Sequence, residues 1–239
     1  ALAGEAVRTI AQSCKHLRFT GISTHPGHVY AASTAEQAAE IGEGEIALLR
    51  QARDAVVNAG FACDTVASGS TPTLAAEIES DVITVVRPGN YVFFDTIQTL
   101  YGAEQSRCAL TVLASVIGKR GDRRWIIDAG SKCLGLDKGA HGNSAVKGYG
   151  IVAGRPELTI VSLSEEVGIV ESEQPASLRI GDRIEIITNH SCSAANMTSR
   201  AVLCTDDDVV GYYEVDAREG TVLPLDSNIP LIQQLPETR

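Results

Sequence analysis

Four short clusters in the sequence join residues able to do chemistry to a position just past a β-rich run. The first is Gly21-Ile-Ser-Thr-His25-Pro-Gly-His28-Val-Tyr30, where two imidazoles and a phenol can give and take protons. The second is Ser68-Gly69-Ser70-Thr71-Pro72-Thr73. Pro72 can open a helix with Thr71 as its N-cap, aiming N–H groups and hydroxyls outward where a phosphate fits; an ordinary capped helix explains the same residues. The third runs from Arg87-Pro88-Gly89-Asn90-Tyr91 to Asp95. Gly89 and Asn90 let the backbone approach a ligand, and Arg87 and Tyr91 add a fixed cation and a hydroxyl; the alternative is a turn followed by a core tyrosine. The fourth is Asn189-His190-Ser191-Cys192. If the preceding strand continues, His190 and Cys192 project from one face and can grip a metal ion. Thiolate plus imidazole favours Zn²⁺, with Mn²⁺ as the alternative, and two ligands leave coordination positions open to water or substrate. A buried cysteine beside a capped histidine is the competing explanation.

The elements that must position these clusters differ between the two halves of the chain. Over 1–102 the pattern predicts a helix near 1–16, a strand at 17–23, a long helix at 34–59 and a strand at 62–67. A short helix after Pro72 and a strand at 82–86 follow. This βαβα rhythm implies a parallel sheet with helical crossovers, whose strand ends are the usual seat of chemistry. Over 103–219 the helix signal fades. Val-, Ile- and Thr-rich runs at 109–117, 124–127, 158–162, 183–188, 201–204 and 209–215 predict an antiparallel sheet or barrel. The tail at 220–239, with Pro224, Pro230 and Pro236, is expected to run irregularly over the surface.

Composition narrows the class of partner. The 239 residues are 44% apolar and 21% charged, which suits a globular protein rather than a disordered or fibrous one. With 20 Lys+Arg against 30 Asp+Glu the net charge is −10, so nucleic acid and anionic membrane surfaces are poor partners and a small molecule is the better one. Six cysteines are scattered without a CxxC pair, the pattern of reduced thiols, and point to the cytoplasm. No apolar run approaches the length of a transmembrane helix. The first residues, Ala-Leu-Ala-Gly-Glu, lack an initiator Met and a signal-peptide pattern, so Ala1 reads as an interior residue of something longer.

In this order, the four clusters resemble the D-serine dehydratase and D-threonine aldolase family. The resemblance runs from about residue 17 to 218 and includes Asp128-Ala-Gly-Ser-Lys132 with Asp137, Gly148-Tyr-Gly150, Leu163-Ser-Glu165-Glu166 and Ala217-Arg218. It implies the C-terminal part of an alanine-racemase-type α/β (TIM-like) barrel at 1–102, followed by an antiparallel β domain at 103–219. It also implies pyridoxal 5′-phosphate (PLP) as cofactor. His25 would lie beside the cofactor ring and Tyr30 would line its site, both close to the chemistry. Gly69, Ser70 and Thr71, with the backbone of Gly89 and Asn90, would hold the phosphate, while Tyr91 and Arg87 would stand near the ring.

His190 and Cys192 match the family's metal pair, where aldolase-type members are expected to carry His-x-Asp and zinc dehydratases His-x-Cys. Cys192 therefore favours dehydration of a β-hydroxy D-amino acid, D-serine giving pyruvate and ammonia. D-threonine or 3-hydroxy-aspartate cleavage and racemisation are the alternatives within the fold, and non-catalytic PLP or metal binding is the alternative outside enzymes. The resemblance further implies a homodimer and an N-terminal barrel segment, expected on a separate chain or beyond this sequence, that carries the PLP lysine. Lys15, Lys119, Lys132, Lys138 and Lys147 do not sit in the family's lysine motif; Lys132 comes nearest but matches a different family lysine. A second departure is Glu165-Glu166-Val167-Gly168, where many members read Glu-Glu-His-Gly.

Overall fold

The computed structural model describes residues 2–139, 146–205 and 208–216, so Ala217-Arg218 and the 220–239 tail lie outside the described residues. Its first half alternates helix and strand: α1 (Leu2–Ser13), β1 (Gly21–Ser23), α2 (Ala35–Asn58), β2 (Thr65–Ser68), α3 (Leu74–Ile78) and β3 (Val85–Val86). The helix α2 starts where the Thr34 hydroxyl accepts from Gln37 N and the Gln37 side chain accepts from Ser33 N, a reciprocal cap. Its buried residues include Ala38, Gly42, Ile46, Leu49 and Val56, at the three-, four- and seven-residue spacings of one helical face. Leu49 packs with Val66 and Val82 over the sheet.

The three strands pair in parallel in the order β1-β2-β3, with Gly21 opposite Thr65 and Ala67 opposite Val85. Parallel strands put all their C-terminal ends at one edge, so the segments after Ser23, Ser68 and Val86 emerge side by side. The strands are shorter than the apolar runs suggested, and β3 keeps only two residues of the expected 82–86. Val82, fully buried, belongs to the core under α2 rather than to the ladder.

Six strands of the second half close into an antiparallel barrel: β4 (Thr111–Arg120), β5 (Arg124–Ile127), β6 (Ile151–Val152), β7 (Leu158–Leu163), β8 (Gly168–Ser172) and β9 (Arg183–Ile187). Their order is β4-β5-β8-β7-β6-β9, and β9 returns to pair with β4, which removes the open edges of the sheet. Inward-facing Ala114, Val116, Trp125, Ile127, Ile160, Val170, Ile184 and Ile186 fill the interior, in the period-two alternation of a half-buried strand. Trp125 is fully buried and its Nε1 donates to Leu178 O at 2.9 Å, so the indole's one polar atom is satisfied. Two short helices complete the site end of this half: α4 (Thr96–Thr99), before the barrel, and α6 (Ser191–Asn196), after β9; α5 (Ser131–Leu134) lies between β5 and β6.

These elements all belong to one compact unit, Ala1–Met197. A hairpin of β10 (Arg200–Thr205) and β11 (Asp208–Glu214) lies in the second, Thr198–Arg239. The β-rich stretch expected over 103–219 thus contains a closed barrel over 111–187 and, separately, this hairpin. Among the described residues, no helix is long and apolar enough to cross a membrane.

Candidate active site

The loops that leave the parallel strands are tied to one another. Thr24 N donates to Ala67 O at 3.0 Å, and the His25 imidazole Nδ1 pairs with Gly69 O, joining the first loop to the second. Arg87 N donates to Ser68 O at 2.8 Å, while its guanidinium Nη2 donates to Ser23 Oγ, joining the third strand back to the first. Gly69 sits where a Cβ would come within 2.4 Å of Arg87 O, so only glycine permits this approach of the β2 and β3 ends.

Ser70 and Thr71 are buried at this junction. Thr71 Oγ1 has no hydrogen-bond partner. Ser70 Oγ, although near enough to Tyr30 to lower its pKa, also has none at hydrogen-bond distance. Buried hydroxyls left unpaired cost about 1–3 kcal/mol each, which marks a place where a ligand is expected to supply the acceptor. The helix expected to start at Pro72 starts at Leu74 instead, with Thr73 as its N-cap residue. The expected cap is not made, since Thr71 Oγ1 accepts no backbone N–H; the Thr73 hydroxyl instead donates to Glu77 Oε1 at 2.6 Å, and Ser68 Oγ donates to the same oxygen at 2.9 Å. With five residues, α3 offers no substantial dipole, and any anion held here is held by the loop.

Tyr30 lies in a 3₁₀ turn, Gly27–Ala31, with its ring 6.0 Å from that of Tyr101 in an edge-on arrangement. Burial raises its pKa above the ordinary phenol value, against the lowering effect of Ser70 and Gln98. Its hydroxyl therefore stays protonated at neutral pH. His28, in the same turn, is exposed, as are Arg87, Gly89 and Tyr91 at the mouth of the third loop. No atom lies within 4 Å of the point where a Cβ on Gly89 would be, leaving open space there.

Asn90 is buried and turns the other way. Its Nδ2 donates to Asp95 Oδ2 at 2.5 Å and Ser191 Oγ at 3.1 Å, and it lies 3.6 Å from Cys192 Sγ. The fully buried carboxylate of Asp95 also accepts from Ser191 N at 2.9 Å and, through Oδ1, from Gln98 N at 3.0 Å, capping α4. Phe94, just before it, has φ +51°, an uncommon conformation for an aromatic residue that turns the chain so that Asp95 points back beneath Asn90. Backbone bonds from Thr96 N to Thr188 O and Ile97 N to Asn189 O clamp this segment to the end of β9. Asp95 ends the third cluster and has no role there by residue type alone; its function is to bind a segment 96 residues away.

The fourth cluster departs from the extended geometry expected of it. β9 ends at Ile187, His190 is the N-cap residue of α6, and Cys192 lies in the first turn of that helix. The imidazole and thiol meet through this turn rather than through a strand's alternation. Their contact raises the His190 pKa, helped by the Cys192, Asp137 and Asp95 charges against burial. It lowers the Cys192 pKa, with the Asn90 amide assisting. His190 Nδ1 also lies 3.1 Å from Ser193 Oγ and 3.6 Å from Asp137 Oδ2. Asn189 Nδ2 holds Asp137 O at 2.7 Å and Gly148 O at 3.0 Å, so the Gly148-Tyr-Gly150 segment is fixed at the same end of the barrel. A soft sulfur and an imidazole nitrogen suit zinc better than a hard cation. Among the described residues no group of three His, Cys, Asp or Glu is arranged around one point, so this pair would leave most of a metal's positions open. Lys132 is exposed and ion-paired with Glu166, on α5.

Comparison with known proteins gives the family of the chain. Residues 1–96 match the family model for the alanine racemase N-terminal domain, and residues 109–204 match that for a putative serine dehydratase domain. The chain is 35% identical over 208 residues to the D-threo-3-hydroxyaspartate dehydratase of Delftia sp. (strain HT23), covering 81% of this chain and 55% of that protein. It is 28% identical over 215 residues to the D-serine dehydratase of Dictyostelium discoideum, covering 84% and 54%. The chain thus spans about half the length of the curated relatives it matches. The solved structure of the Delftia dehydratase superposes with a TM-score of 0.77 at 31% identity, covering 90% of this chain and 60% of that one, and a cysteine-to-alanine mutant of a D-threo-3-hydroxyaspartate dehydratase has been solved in a metal-free form. With an alanine-racemase-like fold and both family models in register, the chain belongs to the D-serine dehydratase and D-threonine aldolase family.

Proposed function

We propose that this chain carries the cofactor-phosphate loops and the metal pair of a PLP- and zinc-dependent lyase that removes water from a β-hydroxy D-amino acid. The observation that carries the reading is the reach of Asn90, from the loop after β3, to Asp95, Ser191 and Cys192. It joins the loop after β3, which Arg87 N ties to Ser68 O beside the loop of unpaired hydroxyls, to the thiol–imidazole pair. When bound, PLP draws electrons from the amino acid's Cα and a zinc ion acts as Lewis acid on its β-hydroxyl.

The chain's own residues hold and orient. Gly69, Ser70 and Thr71, with the backbone of Gly89 and Asn90, take the phosphate; the buried unpaired Thr71 Oγ1 and the open space at Gly89 suit that use. His25, fixed by Gly69 O, stands beside the ring, and Tyr30, kept neutral by burial, offers a hydroxyl proton to the bound molecule. Arg87, anchored on Ser23, and Tyr91 stand at the rim. His190 and Cys192 bind the metal, and the thiolate in place of a carboxylate favours loss of water over carbon–carbon cleavage. Loss of water across Cα–Cβ and hydrolysis of the product convert D-serine to pyruvate and ammonia.

D-serine and D-threo-3-hydroxyaspartate are the substrates to test on the complete enzyme, with the segment that carries the PLP lysine present, the second because of the 35% identical relative that is named for it. A keto acid and ammonia in equal amounts support the proposal. Glycine plus an aldehyde would assign the aldolase reaction instead, and bound PLP and zinc with no turnover would assign a binding role.

The three-stranded sheet pairs β1 and β3 on one side only, and an α/β barrel of this type needs more strands to close. We propose that further βα units, including the PLP lysine, complete it, and that the complete enzyme is a cytoplasmic homodimer; all six cysteines are free thiols, as a reducing compartment requires. Native mass spectrometry finding this chain alone, folded and monomeric, contradicts that part.

A further inference from the structure

The Asn90 side-chain amide has two N–H groups and three acceptors around them: Asp95 Oδ2 at 2.5 Å, Ser191 Oγ at 3.1 Å and Cys192 Sγ at 3.6 Å. Two protons among three acceptors mean that at least one proton is shared in a three-centre bond, weaker at each end than a bond of its own. The amide cannot be turned over to escape the competition, because Oδ1 would then face the Asp95 carboxylate. As oriented, Oδ1 is itself buried without a partner, so Asn90 is not held on its other side. The hold of the amide on Asp95 and Ser191 therefore depends on how far it also spends a proton on the sulfur. Asp95 and Ser191 are buried, where a hydrogen bond strengthened or weakened carries weight, while Cys192 is exposed and open to a metal ion.

We propose that Asn90 is a positioning residue that couples the metal pair to the phosphate loop, so that zinc on Cys192 tightens PLP binding. This rests on the reading of the site as a PLP and zinc centre. A metal ion engages the sulfur lone pairs that otherwise attract Nδ2. The amide then settles on Asp95 and Ser191 alone, and Asp95 is clamped in turn by Ser191 N and Gln98 N. The Asn90 backbone, which follows Gly89 into the phosphate loop, is then held more tightly. A phosphate bound there meets a loop already ordered, and the cost of ordering it falls on the metal-binding step.

The test is a reciprocal titration of the metal-depleted protein: PLP binding, read by absorbance, with and without zinc, and zinc binding, read by competition with a chromogenic chelator, with and without PLP. Linkage requires the same factor in both directions, and a factor of about 5 or more is expected. In Asn90→Ala the factor falls to near one, whatever the separate affinities become. Ser191→Ala removes one hydroxyl, leaves two acceptors for two protons, and lowers the factor without touching the amide. PLP and zinc that bind the wild-type protein independently overturn the coupling while leaving the proposed site intact. Failure of either to bind overturns the site itself, and the coupling with it.

Discussion

The amide of Asn90 donates to the carboxylate of Asp95 at 2.5 Å, and that carboxylate, fully buried, also takes the backbone N–H of Ser191. One acid thereby joins the end of the parallel sheet to the end of the barrel. Asp95→Ala would strip α4 of its cap, leave the Gln98 and Ser191 backbone N–H groups without their acceptor in the interior, and take from Asn90 its charged partner. A loss of roughly 3 kcal/mol or more is expected, read as a lower urea midpoint with an unchanged slope. A loss below about 1 kcal/mol, the worth of a cap alone, would show that the bridge does not hold the two ends together.

Thr71→Val separates stability from binding. Its hydroxyl is buried and unpaired, so replacing it with a methyl of similar shape relieves an unmet hydrogen bond and should stabilise the free protein by about 1 kcal/mol. The same change removes a phosphate contact and should weaken PLP binding by roughly tenfold. Thermal unfolding and PLP titration on one variant check both signs; a variant that is destabilised and binds PLP normally contradicts the assignment.

Gly69→Ala probes the approach of β2 to β3. A Cβ there falls 2.4 Å from Arg87 O, a backbone atom that can move only if the strand ends separate. Such an insertion typically costs about 1–3 kcal/mol. Separation also displaces His25, which is bound to Gly69 O, and PLP affinity should drop at least tenfold, as titration of the variant will read.

The alkaline limb of stability should carry a signature of Tyr30. Burial holds its folded pKa above the unfolded value of about 10. Between those values the unfolded chain has released the proton and the folded protein keeps it. Stability from this group is therefore intact below about pH 10 and is lost as pH rises through the folded pKa. Tyr101 shifts in the same direction, also by burial, and remains in Tyr30→Phe. Urea midpoints from about pH 8 to pH 11 should fall less steeply in Tyr30→Phe than in the wild-type protein; identical slopes contradict burial of the phenol.

The organisation of this protein was legible in its sequence wherever the determinant is periodic or local. Apolar spacing along α2, the Gly-bounded Val and Ile runs, and the three loops after parallel strands all follow from rules of short range. β6 and β8 were not legible: Ile151–Val152 is two residues long, and Gly168–Ser172 carries a glycine and a glutamate that mask its alternation. The extended backbone expected at His190 and Cys192 is replaced by a helix start, because Ser191 and the small residues after it enter a helix once Asp95 binds Ser191 N. Asp95 and Asp137 draw their positions from partners distant in the chain, which no residue pattern discloses.

The central claim is that the phosphate loop and the metal pair form one site. The most direct measurement is the ³¹P resonance of PLP bound to the protein, recorded with zinc and again with paramagnetic Co²⁺ in its place. The account predicts that Co²⁺ shifts and broadens the bound phosphate signal, and that Cys192→Ala abolishes the effect together with metal retention. A ³¹P line that is the same with either ion, on protein shown to hold both metal and PLP, would contradict it.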